Sequence, residues 1–161
     1  MASEPHARML RSIWTNEEWL DLSVTAQWLY QRLVTHRKVS LAGVVEWRPK
    51  GLTQSAVGAS LELIEAAAAE LAEARFIVFD ESTDEALIRS FVRNDGMLSQ
   101  PNMATAVANA YADTGSRRLR GVIVFELLRL KDDQPGLRWD RLAEVLNKPS
   151  IDPWTTLSVV A

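Results

Sequence analysis

The chain has 161 residues, a net charge of −3 and no cysteine. That length suits one domain with an appendage, and the missing thiols exclude a disulfide framework and any thiolate metal centre. No apolar run approaches the about 20 residues of a membrane span and no apolar leader follows Met1, so the expectation is a cytoplasmic protein with no cofactor.

Residues 1–22 read as a polar lead-in, with Ile13, Trp14, Trp19 and Leu20 grouped around Asn16, Glu17 and Glu18. Asn16 is placed to cap a short helical turn, with the acidic pair at its positive end. Ser23 is the next cap, and Ala26, Trp28, Leu29, Leu33 and Val34 have the spacing of an amphipathic helix reaching about Thr35. His36, Arg37 and Lys38 follow at its negative end. Val39 to Trp47 is β-prone, and Arg48 to Gly51 reads as a turn. A short helix is expected over Thr53–Val57, ended by Gly58. Ser60 then caps a longer helix to about Arg75, whose buried stripe is Ile64, Ala67, Ala68 and Leu71.

Phe76–Phe79 and Ala86–Val92 predict two strands joined by a charged loop of about six residues. After Asn94 to Gly96 the pattern returns to helix, with Pro101 in the first turn of a helix over Asn102–Ala112. A further helix runs from about Ser116 to Leu130 with Leu119, Val122, Ile123, Leu127 and Leu130 on one face. A last short one covers Trp139–Leu146, and residues 148–161 read as a flexible tail.

The order helix, strand, short helix, turn, longer helix, hairpin over residues 23–96 is that of a winged helix-turn-helix, with a helical extension at 97–147. The fold expected is α+β and mostly helical. Residues 52–71 (LTQSAVGASLELIEAAAAEL) resemble the helix-turn-helix core of such proteins. The stretches 22–30 (LSVTAQWLY), 41–45 (LAGVV) and 89–96 (RSFVRNDG), with Gln100, Pro101 and Asn102, resemble helix-turn-helix DNA-binding or replication-initiation-like proteins of actinobacterial bacteriophages. The resemblance spans about Arg11 to Ala112. It implies double-stranded DNA binding in phage replication or gene control within the host bacterial cytoplasm, and no catalytic residues. No P-loop, nucleophile elbow or dinucleotide fingerprint appears, so no enzyme and no small-molecule substrate is expected.

Charge is distributed unevenly. Residues 36–60 carry four cations against one carboxylate, residues 61–88 one cation against eight carboxylates, and residues 115–131 five cations against one. In a DNA-binding domain of this type the second helix enters the major groove, yet here that helix is acidic. A glutamate there reads only the cytosine amino group. The DNA-contact candidates are therefore Arg37, Lys38, Arg48, Lys50, Gln54 and Ser55, Ser60 at the helix start, and Arg117, Arg118 and Arg120 for backbone phosphates. The rival reading is a protein-interaction or self-association module, binding a second copy or a host or replisome protein through Leu61, Glu62, Glu65, Trp14 and Trp19. An acidic DNA mimic is a third. His6 and His36 stand alone without ligand spacing, so no metal is expected.

Overall fold

The computed structural model describes residues 4–93 and 97–155. Helix α1 is Glu17–Leu20, and the Asn16 side chain accepts from the Glu18 and Trp19 backbone N–H groups at 2.9 and 3.4 Å. Helix α2, Val24–Val34, is capped by Ser23, whose hydroxyl accepts from Ala26 N–H at 3.1 Å. Ser23 also donates its own N–H and O–H to Glu70, at 2.9 and 2.6 Å, which ties the start of α2 to the next long helix.

Strand β1 is short, Val44–Glu46. The segment after it departs from expectation. Pro49–Leu52 form helix α3 rather than a turn, and residues 53–58 are turns rather than a helix. Pro49 occupies the first helical position, where its fixed φ and missing N–H do no harm. Thr53 closes the helix by donating its hydroxyl to the Lys50 carbonyl at 2.7 Å. Gly58 (φ +86°) supplies the left-handed step before Ser60, which caps α4, Leu61–Glu73, by accepting from Leu63 N–H at 3.2 Å. The α4 stripe Ile64, Ala67, Ala68 and Leu71 is buried as its spacing predicts.

Strands β2, Ile77–Asp80, and β3, Glu85–Ile88, join β1 in an antiparallel sheet of order β1-β3-β2. The loop between β2 and β3 holds four residues rather than six. β3 stops at Ile88 rather than Val92, and Phe91–Arg93 form a 3₁₀ turn; Arg89, just after the strand, and Arg93, at the end of the turn, both bond a buried carboxylate. Gly43 (φ +90°) lies against that turn, where a Cβ would stand 2.5 Å from the Phe91 Cβ.

Side chains alternate across the sheet. Val45, Ile77, Ala86 and Ile88 face a core shared with Trp19, Leu29, Leu33, Ile64 and Leu71. Val44, Val78 and Leu87 face a second core built from the helices that follow. The hairpin is thus the middle layer between two sets of helices. Burying each such aliphatic side chain contributes about 1.5–3 kcal/mol.

In that second set, helix α5 is Met103–Asp113, preceded by Asn102 in the left-handed region (φ +70°). A residue so folded ends the path of any helix through it, so Pro101 lies outside α5 rather than in its first turn. Helix α6 is Arg117–Asp133, capped by Ser116, and its predicted face is buried. A 3₁₀ turn, Trp139–Leu142, leads into α7, Ala143–Leu146. The expected flexible tail is docked as far as described: Ile151 N–H donates to the Gly121 carbonyl at 3.0 Å, and its side chain fills the space a Gly121 Cβ would need. The remaining residues of that tail and Asn94 to Gly96 lie outside the described residues.

Candidate nucleic-acid interface

Five cations lie on the segments that end α2 and begin α3, and His36 and Glu46 bring three of them, Arg32, Lys38 and Arg48, near one another. Arg32, in the last turn of α2, donates its Nε to the Ser55 hydroxyl at 3.2 Å across the interhelical turn. His36 lies between Arg32, Lys38 and Glu46; burial, then the Arg32 and Lys38 charges, hold its pKa below the ordinary histidine value against the opposing pull of Glu46. Its Nδ1 accepts from Lys38 N–H at 3.0 Å, which suits the neutral ring. Arg48 pairs with Glu46 at 2.6 Å, with both side chains well exposed. An exposed pair of this kind is worth about 0–1 kcal/mol, so the guanidinium is readily released to a better anion. Arg37, Lys38 and Lys50 are exposed. With Arg32 and Arg48 they make five cations against Glu46 along these segments, a net +4 in the sequence. Gln54 and Ser55 are exposed, and the Ser60 hydroxyl is occupied as a helix cap.

Helix α4 presents the opposite character. Glu62, Glu65, Ala66, Ala69 and Glu73 fall on one exposed stripe, with Leu63 47% exposed at its edge and Leu61 half-buried. An arginine or amide able to read a purine edge is absent from that stripe.

At the basic start of α6, two of the three candidate phosphate contacts are engaged with main chain. Arg118 donates to the Phe79 carbonyl, and Arg120 donates to the Thr114 carbonyl at 2.6 Å. Both guanidiniums therefore bind main chain inside the molecule; Arg117 is exposed. Trp19, a partner-facing candidate in the sequence, is instead 0% exposed and packs edge-on against Tyr30 and Phe76. Trp14 is 59% exposed and stands edge-on to Trp19.

One cluster escaped the sequence reading. Glu126, 0% exposed, accepts from Arg89 at 2.8 Å, Arg93 at 3.0 Å and Arg129 at 3.3 Å. The Arg89 guanidinium also lies 4.4 Å from the Trp154 ring centroid. Its signal was present, because Glu126 sits three residues after Ile123 and four before Leu130, within the apolar stripe of α6. A carboxylate there must be paired. The cluster ties the segment after β3, α6 and the tail together.

Among the described residues no group of His, Asp and Glu is placed to hold a metal ion, and no helix is long and apolar enough to cross a membrane. No family model, curated protein or solved structure matches the chain.

Proposed function

We propose that residues 23–96 act as a winged helix-turn-helix and that the chain binds duplex DNA by its phosphate backbone, in phage replication or gene control. The observation that carries this reading is the grouping of Arg32, Lys38 and Arg48 around His36 and Glu46, with exposed Arg37 and Lys50 on the same segments. The element order and sheet order suit a winged helix, and the resemblance to phage DNA-binding proteins points the same way. Because the exposed stripe of α4 is acidic, binding rests on phosphate contacts with little base readout. Arg118 and Arg120, engaged internally, leave the footprint.

Fluorescence anisotropy with a labelled random-sequence duplex tests this. Affinity should fall steeply with salt, as counterion release demands, and should be abolished when Arg48→Glu is combined with Lys50→Glu. Absence of binding at low salt overturns it.

A further inference from the structure

The segment 4–16 arches over the body beside α2 and leaves a crevice of about 1290 Å³ beneath it. That exceeds the roughly 300–1,000 Å³ of small-molecule sites and suits a piece of polypeptide. Tyr30, Val34, Phe76 and Phe91 form its floor. Met9, Leu10 and Leu41, which also line it, are all exposed. Arg8 and Arg37 stand on its walls with His6 and His36, and Glu4 is the one carboxylate among its lining residues.

A complementary surface exists on the same chain. The stripe Glu62, Glu65, Ala66, Ala69, Glu73 is acidic at its edges and flat at its centre, since alanine lets another surface approach the helix backbone closely. Leu63 and the fully exposed Val57 add apolar area near its start. An apolar groove with cationic walls is the shape and charge that an acidic, apolar-edged helix fills.

We propose that two copies of the chain associate by seating the α4 ridge of one in the crevice under the N-terminal segment of the other. Each copy carries both surfaces, so the contact is a heterologous one, ridge to crevice. Arg37 lines the crevice and is also one of the DNA-contact cations, so a duplex and a second copy compete for it.

Sedimentation velocity on the full chain without DNA tests the proposal, over micromolar to hundreds of micromolar protein at low salt. The mass of the wild type should rise with concentration. Glu62→Arg with Glu65→Arg should weaken association by about tenfold or more, and so should Arg8→Glu with Arg37→Glu. All four positions are exposed at the surface or crevice, and unchanged melting temperatures would show that both variants fold. The two variants mixed together should associate again, because the basic ridge of one then meets an acidic crevice in the other. A wild type that stays monomeric overturns the proposal, as does either variant associating normally or a mixture that stays apart. Arg48→Glu with Lys50→Glu should leave association unchanged, so this outcome is independent of the DNA reading.

Discussion

The Glu85 carboxylate on β3 accepts two backbone N–H groups at the start of α6, from Ser116 at 2.7 Å and Gly115 at 3.0 Å. The Ser116 hydroxyl donates in turn to Asp80 at 2.5 Å and accepts from Leu119 N–H at 3.0 Å. Two acidic residues of the hairpin thus serve the orphan donors and positive end of a helix. That arrangement ties the start of α6 to the hairpin.

Glu85→Ala should therefore lower stability by about 0.5–2 kcal/mol, the range for removal of a helix cap, read as a fall in the urea midpoint. Glu81→Ala, at the exposed tip of the same loop, should change it by less than about 0.5 kcal/mol. Asp80 adds a pH dependence. Burial alone would raise its pKa, but hydrogen bonds from Ser116 and Ser82 and the Arg118 charge hold it below the ordinary carboxylate value. A depressed carboxylate contributes stability that is fully present above its unfolded pKa and disappears as pH falls through its folded one. Asp80→Asn should flatten the acid limb of the stability curve.

Glu126→Ala should be far more costly. It leaves Arg89, Arg93 and Arg129 facing one another with no counter-charge, and removing one partner from a buried ionic cluster costs about 3–5 kcal/mol. Arg129→Ala, at the exposed rim of the cluster, should cost about 1 kcal/mol or less. Equal effects in chemical denaturation would show that Glu126 is not the hub.

Trp19 and Trp14 separate core from surface. Trp19→Ala should destabilise by about 3–5 kcal/mol, whereas Trp14→Ala should stay near about 1 kcal/mol, the value of a single edge-on aromatic pair. Thermal unfolding of the two variants gives the comparison directly.

The sequence was most informative where the signal is local. Ser23, Ser60 and Ser116 each stand just before an apolar stripe of helical period and cap that helix, and Asn16 caps the short acidic turn Glu17–Leu20. The α3 region misled because Arg, Pro, Lys and Gly together have the composition of a turn, while Pro49 alone marked a helix start. Charge counting carried no sign of the internal partners of Arg118 and Arg120 for another reason. Arg118 binds Phe79, 39 residues away, and a tally along the chain treats every cation as free. Docking of the tail was equally illegible, since it depends on Ile151 meeting the bare backbone of Gly121.

His36 gives the DNA reading a pH signature. With its pKa lowered by burial and by Arg32 and Lys38, the ring is neutral in the free protein at neutral pH. Glu46 is the opposing charge that faces it. A phosphate held on the patch would favour the imidazolium, so binding takes up a proton and affinity should rise as pH falls below the ordinary histidine value. Fold stability runs the other way over that window, because the unfolded chain protonates first. His36→Gln should remove the pH-dependent gain while leaving salt-dependent binding in place. A gain that persists in the variant would move the titration elsewhere.

The salt dependence itself separates the two basic regions. Removing one cation that touches a phosphate should reduce the slope of log affinity against log salt by about 1. Lys50→Ala and Arg37→Ala should each do this without affecting stability, since both side chains are exposed. Arg120→Ala should leave the slope alone and lower the melting temperature, because its guanidinium binds the Thr114 carbonyl at the mouth of α6. Glu62→Gln with Glu65→Gln should strengthen binding, since two carboxylates that repel the backbone disappear while the helix keeps its shape. If Arg120→Ala flattens the slope instead and Lys50→Ala does not, the DNA lies against α6, and the patch at the end of α2 is surface charge with another partner.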